Sequence, residues 1–349
     1  MSELMPNLSE YVDVGGPAQS LLVLDGVEKR FPIKGKLFSR EKKFVHAVNG
    51  VSFSVKKGET LGVVGESGCG KSTLAKLIAS LLTPDRGSLI FDGQGIDELR
   101  GISLKNLRKN LQMVFQDSYA SLNPRLTILE TIAYGPQVHG MSKEDAGALG
   151  RQLLSRVGLE PNQYAACYPK ELSGGQRQRV NIARSLAFNP RLMILDEAVA
   201  ALDKSVQAQV LNLLQDLKAE RDLTYIFISH DLQVVHYISD RVMVMYLGEV
   251  VEFGPVDQIF EKTAHPYTKA LFSATPSLDP DKRTEKPPLQ GDLPSPIDLP
   301  EGCHFRDRCP HAWEACAVKP SLMRLVDSGD HWVACHLYHD KCPEGAGHP

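Results

Sequence analysis

The chain has 349 residues, 42% of them hydrophobic and 23% charged, with a formal net charge of −3. That length supports a sizeable core and more than one domain, and the slight negative balance argues against a nucleic-acid partner. No run of 18 apolar residues occurs and residues 1–16 are polar and acidic, so neither a membrane span nor a secretory signal is expected.

In chain order, residues 1–20 read as a loosely attached N-terminal segment. Residues 21–27 and 46–55 read as strands of an antiparallel subdomain, with a basic, irregular insertion at 34–43 between them. Residues 60–64 form a short apolar strand, and 72–82 carry Leu74, Leu77, Ile78, Leu81 and Leu82 at helical spacing. Strands are expected at 88–92 and 111–115, and mostly helix over 126–157. A buried strand at 192–195 precedes a helix at 204–220, a strand at 225–228, a helix at 231–239 and strands at 241–246 and 249–253. Such alternation, with apolar strands, implies a largely parallel sheet covered on both faces. One main domain is therefore expected over 21–272, with no internal repeat.

Residues 273–300 are rich in proline and read as an extended linker. The extension 301–349 is too poor in apolar residues to fold on burial alone and is expected to need a staple. Seven cysteines occur, and five of them (Cys303, Cys309, Cys316, Cys335 and Cys342) lie in this extension. Without an export signal the thiols stay reduced, so the cluster reads as metal ligands before disulfides. The spacing contains no C-x-x-C pair, which weakens an ordinary zinc-ribbon reading.

Gly65-Glu66-Ser67-Gly68-Cys69-Gly70-Lys71-Ser72, followed by Thr73, fits the G-x-x-x-x-G-K-[ST] phosphate-binding loop in its strand–loop–helix context. Backbone N–H groups would surround nucleotide phosphates, Lys71 would add charge and Ser72 could hold Mg²⁺. Leu172-Ser173-Gly174-Gly175-Gln176 marks one subclass of such ATPases. With both segments present, the chain resembles the nucleotide-binding subunits of ABC transporters. The resemblance implies an α/β P-loop NTPase core of the ABC ATPase type, with an antiparallel β subdomain, a helical subdomain and the small cysteine-rich C-terminal extension. It also implies a dimer in which the Ser173 segment of one subunit closes on ATP held by the phosphate loop of the other.

Asp196 and Glu197 end the strand at 192–195. A strand terminus holds carboxylates rigidly at the edge where open α/β sheets bind ligands. Asp196 would hold Mg²⁺, and Glu197 would orient and deprotonate the attacking water. By resemblance Gln116 senses Mg²⁺ and water and links the site to membrane subunits. The same resemblance implies that His230 is the switch residue at the γ-phosphate, that the Asp203 loop touches the opposite site and that Phe31 stacks on adenine, with Phe38 and Phe44 as competitors. One departure stands out. The family usually has Pro after the catalytic Glu and Ser or Thr two residues later, whereas here the run is Glu197-Ala198-Val199-Ala200-Ala201. The acid and base are kept, and the rigidity of the loop comes into question.

Pro294-Ser295-Pro296, Gly302-Cys303-His304-Phe305, Arg308-Cys309-Pro310, Val333-Ala334-Cys335 and His265-Pro266-Tyr267-Thr268-Lys269-Ala270-Leu271 resemble dipeptide and oligopeptide permease ATPases. That resemblance implies a 4Fe-4S cluster on Cys303, Cys309, Cys316 and Cys335, with zinc as the alternative and four free thiols as the plain reading. It also implies a peripheral place on the cytoplasmic face of the membrane, a paralogous ATPase as dimer partner, two transmembrane permease subunits and an extracytoplasmic binding protein. Import of nickel, an oligosaccharide or glutathione is the alternative cargo reading. A soluble ABC ATPase acting on nucleic acid is the alternative of another class.

Overall fold

The computed structural model describes residues 19–33, 43–96, 101–274, 294–325 and 329–338. The insertion at 34–43, most of the N-terminal segment, most of the linker and Cys342 thus fall largely or wholly outside the described residues. The elements run β1 (Ser20–Pro32), β2 (Phe44–Lys56), β3 (Thr60–Val64), α1 (Lys71–Ile78), β4 (Arg86–Phe91), β5 (Gln94–Gly95), α2 (Leu104–Asn110) and β6 (Leu111–Val114). Then come α3 (Ile128–Val138), α4 (Lys143–Arg156), α5 (Pro161–Tyr164), α6 (Gly174–Leu186), β7 (Leu192–Asp196), α7 (Lys204–Arg221), β8 (Thr224–Ile228) and α8 (Leu232–Ile238). The chain closes with β9 (Arg241–Tyr246), β10 (Glu249–Pro255), α9 (Val256–Glu261), α10 (Pro266–Ser273), β11 (Met323–Arg324) and β12 (Trp332–Val333).

One sheet has the order β2-β1-β4-β5 and is antiparallel throughout. The other has the order β11-β12-β10-β9-β3-β8-β7-β6. Its β9-β3-β8-β7-β6 portion is parallel. Every residue of β3, β7, β8 and β9 is buried, which is why these strands read as unbroken apolar runs rather than alternating ones. Alternate residues feed two cores. Val64, Leu195 and Phe227 join the helical side, while Val63, Ile194 and Ile228 join the antiparallel side.

α1 stops short of the predicted end at residue 82, because Ser80 adopts a left-handed φ of 49° and turns the chain. The predicted helical stretch over 126–157 divides into α3 and α4, with Gly140 at φ 99° between them. α3 opens on a capping box, Thr127 with Glu130. β9 and β10 are joined by Leu247-Gly248, both at positive φ, as a two-residue hairpin requires.

The cysteine-rich tail finds its burial on the main sheet. β12 pairs antiparallel with β10, matching Glu252 to Val333 and Phe253 to Trp332. Trp332 enters one core and Phe305 the other. Burying side chains of this size contributes about 2–3 kcal/mol each. His331 and Glu252, both fully buried, meet at 2.8 Å. The same carboxylate accepts the N–H groups of Ala264 and His265. The expectation of a tail needing a staple of its own did not include this attachment.

Candidate functional site

Four connections place the site. Gly65 follows β3, Gln116 lies beyond β6, Glu197 follows β7 and His230 lies beyond β8. All are at the carboxyl ends of parallel strands, where such sheets bind ligands. The Gln116, Glu197 and His230 side chains and much of the phosphate loop line one cleft of about 520 Å³.

The loop is shaped by its glycines. Gly65, Gly68 and Gly70 have φ of 147°, 82° and 107°. A Cβ at Gly70 would stand 2.1 Å from the Ala47 carbonyl oxygen. Gly70 caps α1 without a side-chain acceptor, and the first turn holds no acid, so the leading amides remain open to anionic oxygens. Cys69 O accepts from Gly248 N at 2.9 Å, which ties the loop to the β9–β10 hairpin. Lys71 is buried and donates to Gly65 O at 2.7 Å and Glu66 O at 3.0 Å.

Ser67, Gly68, Gly70, Lys71, Ser72 and Thr73 line the cleft. Gly65, Glu66 and Cys69, expected there too, are turned elsewhere. Gly65 and Glu66 offer their carbonyls to Lys71, and Cys69 is 1% exposed with its thiol pKa pushed up by burial.

Ser72 Oγ donates to Asp196 Oδ1 at 3.2 Å. Burial raises the Asp196 pKa, and the Ser72 hydrogen bond opposes that shift. Paired hard oxygens suit Mg²⁺. Gln116 Nε2 donates to Glu197 Oε2 at 2.7 Å, and His230 Nδ1 lies 3.5 Å from Glu197 Oε1. Glu197 sits at φ 48°, a costly conformation for a non-glycine residue, held by its N–H to Ile228 O at 2.9 Å. The departure Ala198-Val199 is buried, and Ala200 N bonds back to Glu197 O at 3.1 Å, so the loop is braced without proline.

Phe31 lines the cleft with Val45, Ala47 and Pro296. Phe44 pairs with Pro32 at the β1–β2 end, and Phe38 lies outside the described residues. Pro296 was not anticipated at this place. Its carbonyl accepts from His46 N at 2.9 Å, which brings the segment after the linker to the cleft wall.

Ser173, Gly174, Gly175 and Gln176 do not line this cleft. Ser173 caps α6 in a capping box with Gln176, whose Oε1 accepts from Ser173 N at 2.9 Å. A Cβ at Gly175 would meet Val206 Cγ1 at 2.4 Å, which demands the glycine. Ser173 is exposed and lies outside the lining of this chain's own nucleotide cleft. Asp203 caps α7, and the Val206 N–H bond holds its carboxyl pKa down.

In the tail, burial pushes the Cys303 thiol up to about 11 and the Cys335 thiol up to about 12, and raises Cys309 as well. Cys303 N donates to Cys316 O at 2.9 Å. Among the described residues, no group of three or more His, Cys, Asp and Glu side chains is placed to hold a metal ion. Neither the iron–sulfur cluster nor the zinc alternative, each of which would use these four thiols, has a demonstrated site here.

A phosphate loop, a strand-end Asp-Glu pair, a histidine beside that pair and a Ser-capped signature helix together define an ATP-binding cassette ATPase. Residues 48–200 match the ABC transporter family, and residues 251–316 match the oligopeptide/dipeptide transporter C-terminal region. The chain is 49% identical over 325 residues to the oligopeptide transport ATP-binding protein AppF of Bacillus subtilis, covering 92% of this chain and 98% of that one. It is 46% identical over 319 residues to the dipeptide transport ATP-binding protein DppF of Escherichia coli, covering 91% and 94%. A solved dimeric ATP-binding cassette in a post-hydrolysis state, bound to ADP and Pi, superposes with a TM-score of 0.58 at 29% identity, over 67% of this chain and 98% of that one. The chain belongs to the ATP-binding subunits of oligopeptide and dipeptide ABC transporters.

Proposed function

We infer that this chain hydrolyses ATP to power uptake of dipeptides or short oligopeptides across the cytoplasmic membrane. The observation that carries this reading is the convergence of the Lys71 loop, Glu197, Gln116 and His230 on one cleft, with Asp196 bonded to the cleft-lining Ser72. The cargo follows from the family, since nothing in the cleft touches a peptide.

The residues divide the work. The open amides of α1 and Lys71 hold the β- and γ-phosphates, and Lys71 exchanges its two carbonyl partners for phosphate oxygens. Ser72 and Asp196 would hold Mg²⁺, which supplies charge neutralisation across the phosphates when bound. Glu197, aimed by Gln116, accepts the proton of the attacking water. His230 donates a hydrogen bond to the γ-phosphate. Phe31 and Pro296 offer apolar surface to the base.

The exposed Ser173 cap supports a composite site in which this segment serves ATP on a second ATPase subunit, with a paralogue as the partner. An apolar groove of about 720 Å³ lies beside Gln116, lined by Leu81, Met113, Phe115, Tyr134 and Phe188 among others. We read it as the seat of the two permease subunits, which would place the chain peripherally on the membrane's cytoplasmic face, with the binding protein engaged through them. Among the described residues, no helix is long and apolar enough to cross a membrane.

A 4Fe-4S cluster on Cys303, Cys309, Cys316 and Cys335 stays part of this proposal. Its support is that Cys303 N donates to Cys316 O at 2.9 Å and that, after burial, Cys303, Cys309 and Cys316 each raise the Cys335 thiol electrostatically. A cluster binds one thiolate at each corner, so its ligands stand farther apart than those of one ion. It would act as a structural link.

Uptake of labelled dipeptide, tripeptide, glutathione and nickel by cells with and without this chain tests the reading. Loss of peptide uptake alone is expected. Loss of nickel or glutathione uptake alone would replace the cargo.

A further inference from the structure

Glu66 is the second residue of the phosphate-binding loop, yet its side chain and its amide are engaged outside the cleft. Its N–H donates to the Tyr267 hydroxyl at 2.8 Å. Its carboxylate accepts both terminal nitrogens of Arg308, at 2.9 and 3.2 Å. Its carbonyl accepts from Lys71 at 3.0 Å. Three groups of one loop residue are therefore fixed from three directions.

Arg308 belongs to the cysteine-rich tail, next to Cys309. Its side chain is 6% exposed. The guanidinium carbon lies 5.9 Å from the Tyr246 ring and 6.0 Å from the Phe305 ring, and Nη1 also donates to Tyr246 Oη at 3.3 Å. Phe305 is itself buried against Tyr246 and Tyr267. The arginine is thus held by a packed aromatic wall before it reaches the loop. A two-pronged guanidinium–carboxylate contact fixes orientation as well as distance. Removing one partner leaves a poorly solvated charge behind.

We propose that Arg308 is a positioning residue for the nucleotide site: by clamping Glu66 it presets the phosphate-binding loop and makes ATP affinity depend on the docked cysteine-rich tail. The proposal rests on the ATP-site reading above. Coupling is reciprocal, so bound ATP in turn holds the tail closed.

The test uses the full-length chain in its assembled transporter. Arg308→Met and Glu66→Gln are each expected to weaken ATP binding by roughly ten-fold, and the double variant by no more than either alone. KM for ATP rises while kcat changes by less than about two-fold. Arg308→Lys keeps the charge without the fork and falls between wild type and Arg308→Met. The second readout is protease cleavage within residues 300–340. ATP slows it several-fold in wild type and has no effect in Arg308→Met, a difference that mere loss of stability does not produce. If Arg308→Met does not fold, Arg308→Lys and Glu66→Gln carry the same comparison. Variants that bind ATP as wild type does, or tail cleavage indifferent to ATP in wild type, would overturn the clamp alone. A wild type that binds no ATP would overturn the ATP reading with it.

Discussion

The Gln116 side-chain amide donates to the Glu197 carboxylate at 2.7 Å, joining residues 81 positions apart. That bond fixes one carboxylate oxygen. The other lies 3.5 Å from His230 Nδ1. Whatever moves the segment after Gln116 therefore also moves the carboxylate proposed as the base.

Glu197→Gln keeps the size of the side chain and removes its ability to take a proton. Turnover at this site should fall by on the order of 10²–10⁴ while ATP stays bound between the subunits. The rate is measured with the partner's own site disabled. Near-normal turnover there would remove Glu197 from its role.

Ser173→Arg should leave ATP binding by the isolated chain intact and stop hydrolysis at the partner's phosphate loop. The cap lies outside this chain's own cleft, so any local effect should be limited to losing a helix cap, about 1 kcal/mol of stability. Single-turnover hydrolysis at the partner's loop is the measurement. A normal rate there would end the composite-site reading.

Anaerobically purified protein should be brown, with about four irons per chain, as expected of a cysteine-bound cluster. Cys303→Ser, Cys309→Ser, Cys316→Ser and Cys335→Ser should each lose the colour, and Cys69→Ser should keep it. Cluster loss should make residues 300–340 protease-sensitive before the cassette core. Colourless, iron-free protein with a resistant tail would show that the core alone holds the tail.

Burial holds the His265 pKa down from 6.5 to about 4. Below pH 6.5 the unfolded chain takes up a proton that the folded chain refuses, so stability falls as pH drops toward 4. The full loss is about 3 kcal/mol for a shift of this size. His265→Asn keeps an acceptor for the Tyr267 N–H that His265 now caps, and should flatten part of this dependence. Urea unfolding of both proteins at pH 7 and pH 5 provides the comparison, and equal pH dependence in the two would contradict it.

Much of the cassette was legible because its signals are local. β3, β7, β8 and β9 announce themselves as apolar runs, and Gly65 to Ser72 carry their backbone requirements in their residue types. The place of the tail was not legible. Phe305 stands alone and Trp332-Val333 is only a two-residue strand, and the surfaces that receive them lie on β9, β10 and α10. Glu66 and Arg308 stand 242 positions apart, and no local pattern pairs them. Pro296 and Tyr267 were visible as family marks, but neither spacing nor hydropathy says that one lines the cleft and the other holds the loop. Asp203 shows the opposite limit. The resemblance gave it a contact across the dimer, and within this chain it also caps α7, as Asp before a helix already predicts.

The pairing of β12 with β10 has a consequence for solubility. Without it, β10 would end the sheet on a bare row of amides and carbonyls, a template for any passing strand. β12 occupies that row, and β11 beyond it is only two residues long, one of them Arg324. The tail is in this sense an edge guard. A chain cut before residue 300 would keep its phosphate loop, Asp196 and Glu197, yet would present β10 to its own copies, so self-association rather than lost chemistry would be the first sign of its absence.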